Sequence, residues 1–493
     1  MASPFNPIGL SELDRSRLRE TIEKARSEYE GRQESPIVVL RIGLEGFDPV
    51  HAFSQMRGRH RFFWSQPDRE MALVAQGVAH CVETEGRGRI AQAGTHVQET
   101  LSRVFCVDSE ARDALRWWGG FSFDARHEPK AEWEDFPGGR MILPECLLES
   151  GPEGGAAVLA RPVLESEEVE GVVSDFDRLA RRVQTWIDAS DETQPAPVPR
   201  SGESSGPEYS VVSDRPHVAY CDGVQSAIEA IGAGEFEKVV LARSLEVRHE
   251  GRYQLADFLR RLSATYPSCT VMALGSANST LVAASPEFLV SLKEGAVRTQ
   301  ALAGSAARGS SPDQDEVLAT RLIESKKEQR EHAAVVRAVR ESLDRVCGEL
   351  EGPEAPVLLK MEGIQHLSTV LSGRLKSGES VKNVLDLVEL LHPTPAVCGL
   401  PREAASEWLY AHEELNRGWY AGPVGWMTAE GEGDFWVALR AGLIRQPVDE
   451  TTEAMALARL YAGAGVVEGS RPESELAETR LKLRALLAPL TEI

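Results

Sequence analysis

Apolar positions along this chain recur with two periods, and the alternation between them marks its elements. Residues 11 to 30 are charged and helix-compatible, and PIVVLRIG, RFFWS and MALVAQGVAH then have the length and composition of strands. GGRMILPECLLE and AAVLARPVL read as further strands, and DFDRLARRVQTWIDA as an amphipathic helix. In RWWGGFSFD, Gly119 and Gly120 predict a tight turn or close backbone packing beside a strand. HVAYCDGVQSAIEAIGAGEF has helical spacing and stops at Gly232 and Gly234, after which KVVLARSLEVRH is a strand. TVMALGS and TLVAASPEFLVSLKEG continue as strands, and one long helix is expected over 315 to 347. VKNVLDLVELL predicts another helix. GPVGWMTAE and DFWVALRAGLI flank GEGD as a hairpin, and a terminal helix runs from about 474 to 488. Strands and helices alternate irregularly, which predicts α+β architecture with sizeable antiparallel sheets. No Gly-x-Gly-x-x-Gly opens a helix after a strand, which argues against a dinucleotide-binding domain.

The stretch at 190–209 is rich in Pro, Ser, Gly and Glu and predicts a linker or surface loop. It divides an N-terminal portion, 1–189, from a region at 210–493 that holds the candidate chemistry. A sequence boundary need not separate folding units, so the two parts can share one core. The net charge of −22 opposes nucleic-acid binding, which needs clustered Lys and Arg, and disfavours an acidic membrane surface. An anionic substrate would have to be met by locally placed cations. The cysteines at 81, 106, 146, 221, 269, 347 and 398 form no CxxC pair and read as reduced thiols. Neither a secretory leader nor a membrane span is visible, so a soluble cytoplasmic protein is expected.

Two separated residues carry the sharpest chemistry. Lys238 begins the strand VVLAR; a strand-edge lysine is ordinarily solvated, but a desolvated one can serve as a general base. Glu287 follows Ser285 and Pro286 between apolar stretches, where a carboxyl is either structural or, with a raised pKa, a general acid. Glu328 and Glu331 share one helix face, and Glu475 and Glu478 share another. Such faces are either solvated acidic patches or donors to one hard cation, magnesium rather than zinc. Lys482 lies one turn after Glu478, as an intrahelical partner or a carboxylate ligand. Arg440 is an exposed arginine or a bidentate clamp, and Gly463 and Gly465 would let backbone N–H groups approach an anion. His366 and His392 read as hydrogen-bonded core or site-wall residues. No serine or cysteine has a nucleophile's context.

Over residues 210 to 489 the chain resembles the chorismate-utilising enzymes, and within them the isochorismate synthases. The resemblance runs through GEFEKVVLAR, LVAASPEFLV, QALAGSAARG, SKKEQREHAAVV, IQHLSTVLSG, LHPTPAVCGLP, YAGPVGWM, WVALRAG and YAGAGVVEGSRPESELAETRLK. It implies a large α+β unit of two facing antiparallel sheets with outer helices. It also implies a magnesium-dependent, reversible conversion of chorismate to isochorismate. Lys238 matches the base that activates water for attack at C2, and Glu287 the acid that protonates the departing C4 hydroxyl. Glu331 and Glu478 match magnesium ligands, and Glu328 and Glu475 supporting acids. His366 matches a residue near C4, while Arg440, Gly463 and Lys482 match residues that hold substrate carboxylates. Aminating relatives carry threonine where Ala396 stands, so the resemblance favours water over ammonia and implies no glutaminase subunit. Salicylate synthesis through pyruvate loss and a silent chorismate-binding protein are the competing readings. The product would feed menaquinone or a catechol siderophore, from a monomer or homodimer. Ser305 and Glu328 depart mildly from the commoner threonine and aspartate.

Overall fold

A computed structural model describes residues 9–152, 154–188, 209–376, 378, 381–446 and 455–491. The expected linker lies outside the described residues, apart from Tyr209, and so do the first eight positions. Among the described residues the strands form a 13-stranded and a 9-stranded sheet, antiparallel except where Ile37–Leu44 runs parallel to Val104–Cys106. The period-2 alternation explains how the large sheet is covered on both faces. In the strand Arg61–Gln66, Phe62 and Trp64 point into one core and Phe63 into another. The first core lies between the sheets, where Phe62 stacks on Trp118 of the small sheet with centroids 4.9 Å apart. The second lies under helices that include Glu12–Tyr29, Val169–Ile187, Leu255–Thr265 and Pro472–Thr491.

Strands from before and after the expected linker pair directly. Arg61–Gln66 bonds to Thr270–Ser276, with Trp64 opposite Met272, and Arg116–Phe121 bonds to Pro423–Thr428. Gly119 and Gly120 sit inside that strand rather than at a turn. A Cβ on Gly119 would lie 1.8 Å from the Arg140 carbonyl, so close backbone packing is what requires glycine there.

Two segments that read as single strands are crossovers between the sheets. Ser279–Ser285 belongs to the large sheet and Phe288–Lys293 to the small one; Pro286, with no N–H to give a ladder, ends the first. Gly433–Val437 belongs to the small sheet and Ala441–Arg445 to the large, and the chain turns between them with Arg440 at φ 44°. The crossovers are bonded side by side: Val437 N–H donates to the Glu287 carbonyl at 3.1 Å, and Ala284 N–H to the Arg440 carbonyl at 3.2 Å. Glu287 and Arg440 are therefore placed together where the chain passes from one sheet to the other.

The single helix expected over 315 to 347 is two, Pro312–Glu324 and Lys326–Leu343. Ser325 leaves the helical region at ψ 111° and caps the second helix by accepting from Glu328 N–H. The signature was present as Ser-x-x-Glu in SKKE, masked by continuous helical periodicity on either side. Its consequence is functional, since Glu328 and Glu331 fall in the first turns of a new helix, where the dipole favours carboxylates. No helix among the described residues is long and apolar enough to cross a membrane. The seven cysteines are free.

Candidate active site

The strand Lys238–His249 pairs along its length with Ala456–Val467, placing Val240 opposite Gly465 and Ala242 opposite Gly463. Side chains at 238 and 240 share a face and line one cavity. Glu287, Glu331, His366, Ala396, Arg440, Gly463, Glu478 and Lys482 line the same cavity. Glu328 and Glu475 do not; Lys327 takes them instead, at 3.6 and 3.7 Å. Of the four carboxylates read from helix spacing as donors to one cation, only Glu331 and Glu478 reach the cavity.

The base candidate is not solvated. Lys238 is buried and its Nζ meets Glu331 Oε1 at 2.8 Å. Burial pushes Glu331 upward, but the Lys238 ammonium and hydrogen bond, helped by Lys327 and Lys482, carry it below the usual carboxylate range. Glu328 and Glu475 are pushed up by burial first. Gly465 has a steric reason to be glycine: a Cβ there would stand 2.9 Å from Glu331 Oε1 and 3.2 Å from Lys238 Cε. Gly465→Ala is expected to displace that ion pair and lower turnover about 10-fold or more, with the fold kept, as measured by initial rates and circular dichroism. A rate within about twofold of wild type would show that the pair tolerates the methyl group.

Glu287 is also buried and lines the same cavity. Burial raises its carboxyl to about 7, although Thr394 Oγ1 donates to Oε1 at 3.1 Å and Lys238 and Lys482 pull it down. A carboxyl so tuned is partly protonated at neutral pH and suited to giving up a proton. Its backbone N–H is held by Ser285 Oγ at 3.2 Å.

Arg440, His366 and Ser305 form a chain. Arg440 Nη2 donates to His366 Nε2 at 3.1 Å; a guanidinium has no acceptor, so the imidazole proton sits on Nδ1, beside Ser305 Oγ at 2.9 Å. Burial and then Arg440 hold His366 well below its ordinary value, hence neutral. Arg440 lines the cavity, and its Nε is buried without a hydrogen-bond partner. Ser305 is aimed by a bulge at Gly304, φ 79°, where the register shifts and Ser305 N–H donates to Glu328 Oε2 at 3.3 Å. Lys482 pairs with Glu478 at 2.7 Å and donates to the Gly463 carbonyl at 2.9 Å. His392 does not line this cavity; it is a core residue, held neutral by burial at about 3, with Nε2 on the Phe123 carbonyl at 3.0 Å.

Sequence reading missed Thr394, Tyr420 and Arg417 as parts of this site. Tyr420 and Arg417 line the cavity and Thr394 bonds Glu287. Thr394 and Tyr420 lie inside segments already singled out, LHPTPAVCG and YAGPVGWM, but their roles depend on distant partners. All-oxygen donors at Glu331 and Glu478 fit a hard cation in kind, although among the described residues no three His, Cys, Asp or Glu are gathered around one point.

The family model for chorismate binding enzymes matches residues 20–491. The chain is 30% identical to isochorismate synthase MenF of Bacillus subtilis over 91% of this chain and 92% of that protein. It is 31% identical to the salicylate biosynthesis isochorismate synthase of Pseudomonas aeruginosa over 97% of this chain and 94% of that one. The menaquinone-specific isochorismate synthase of Escherichia coli shares the fold, with TM-score 0.74 and 23% identity over 96% of this chain and 100% of that structure. With one family model spanning nearly its whole length and full-length relatives to match, this chain belongs to the chorismate binding enzymes.

Proposed function

We propose that this site is an isochorismate synthase, converting chorismate reversibly to isochorismate by adding water at C2 and releasing the C4 hydroxyl. The observation that carries the reading is the raised, buried Glu287 in one cavity with a buried lysine, flanked by cations for two carboxylates. Lys238 takes a proton from the attacking water, the ring double bonds shift, and Glu287 gives its proton to the leaving hydroxyl. The atoms balance with no redox partner, because one water enters and one leaves. An ammonium has no lone pair, so Lys238 acts as the base only after giving up the proton it holds against Glu331 Oε1. Arg440, with Nε unspent, and Lys482 are suited to carboxylate oxygens. Ala396 offers no hydroxyl to the cavity, which suits water rather than ammonia as the nucleophile.

Magnesium fits as the cofactor, held by Glu331 and Glu478 with Glu328 and Glu475 as support, and would supply positive charge to a substrate carboxylate. Removing it with a chelator is expected to abolish turnover, and magnesium to restore it.

The test is product analysis of the purified chain with chorismate and magnesium, with and without ammonia. Isochorismate alone supports the reading. Salicylate with pyruvate, or an aminated ring, would overturn it.

A further inference from the structure

The strand that carries Lys238 has a gap along one edge. Tyr209–Ser213 pairs there only with residues 245–249, and Gly399–Leu400 only with Lys238 and Val239. Between them, the Val240 N–H donates to the Cys398 carbonyl at 2.8 Å, but the Val240 carbonyl and the Ala242 N–H face this edge with no main chain to answer them, and buried peptide groups need partners. Side chains fill the gap. Ala242 N–H donates to Glu413 Oε2 at 2.8 Å, and the Val240 carbonyl accepts from Arg417 Nη2 at 2.6 Å. Arg417 grips both oxygens of Glu413, at 2.6 and 2.5 Å. Its remaining arm, Nη1, donates to the Val397 carbonyl at 2.9 Å. Both side chains are buried, and the guanidinium lies 4.2 Å from the Phe123 ring centre.

The two carbonyls belong to the two sides of the reaction. Val240 is two residues past Lys238 on the same strand. Val397 is three residues past Thr394, whose hydroxyl holds Glu287. Val240, Val397 and Arg417 all line the cavity. A planar fork that spans both segments while anchored to a carboxylate is a geometry an ammonium cannot copy.

We propose that Arg417, backed by Glu413, is a positioning residue that sets the spacing between the strand bearing the base and the loop that orients the acid. This rests on the reading of Lys238 and Glu287 given above. If the pair only stabilised the fold, folded variants would keep wild-type constants. A positioning role instead lowers kcat with KM for chorismate nearly kept, and it acts through Thr394.

The experiment compares wild type, Arg417→Lys, Thr394→Val and the double variant in the full chain, by steady-state kinetics on chorismate with thermal melting as the folding control. Arg417→Lys keeps the buried charge beside Glu413 and loses the fork. It is expected to lower kcat about tenfold or more with KM within about threefold. The double variant is expected to be no more than about twofold slower than the slower single variant, because both changes break one linkage. Losses that multiply, or an unchanged kcat in folded Arg417→Lys, would overturn the proposal. Should Arg417→Lys fail to fold, Glu413→Gln, which retains an acceptor for Ala242 N–H, replaces it in the same cycle with the same expected pattern. A wild-type chain that makes no isochorismate would defeat the functional reading itself; an active wild type with multiplying losses would defeat only this inference.

Discussion

Glu287→Gln should be inactive and, above neutral pH, more stable than the wild type. Turnover falls about 10²–10⁴-fold because the amide cannot deliver a proton to the departing hydroxyl. The stability gain follows from the direction of the shift. Burial holds the folded carboxyl at about 7, above the ordinary value of 4.5, so the folded state binds this proton more tightly than the unfolded chain. That contribution is fully present below about 4.5 and is lost as pH rises through about 7, where a buried anion must be carried. Glutamine is neutral throughout and still accepts from Thr394, so it escapes a penalty of roughly 3 kcal/mol at most. Urea denaturation at about pH 5 and pH 9 reads the gain, which should be several-fold larger at the higher pH. In the wild type, kcat/KM should decline through about pH 7 as Glu287 ionises. Near-normal turnover in the variant would remove Glu287 from the acid role, and equal stability at pH 9 would mean that its carboxyl is not held up by burial.

Lys238→Ala should lose turnover by a similar factor of about 10²–10⁴ and should also destabilise the fold. Its ammonium is the 2.8 Å partner of Glu331, and removing one member of a buried pair costs about 3–5 kcal/mol, less here because Lys327 and Lys482 still act on that carboxylate. Adding Glu331→Gln to Lys238→Ala should recover much of the stability and none of the activity. Chromatographic assay of isochorismate beside denaturant titration separates the two effects. If Lys238→Ala kept its activity, the base would have to be sought elsewhere; if it kept its full stability, the ion pair would be dispensable.

The limits of sequence reading follow from how far each determinant reaches along the chain. Period-2 runs located the strand at Lys238, and i, i+3 spacing put Glu475 and Glu478 on one face, because both patterns are local. Pro286 carries a strand end in its missing N–H, but the apolar stretches on both sides of it read as continuous strand. The matching break at Arg440 left no such mark, since FWVALRAGLI is strand-like on both sides of the arginine and only its φ of 44° and the change of sheet reveal the turn. The cap at Ser325 was legible in SKKE but outweighed by helical periodicity.

The sequence by itself determined the α+β class, the family motifs and the residue types able to move a proton or hold a carboxylate. Tertiary structure alone decided which of them meet. It gave Lys238 to Glu331, sent Glu328 and Glu475 to Lys327 outside the cavity, and joined Thr394 to Glu287 across 107 residues and Arg417 to Val240 across 177. A hydrogen bond constrains two groups in space but imposes no spacing on the chain between them, so no local pattern records it. The tuning of Glu287 has the same origin, because burial is contributed by every segment that closes over the carboxyl and by none of them alone.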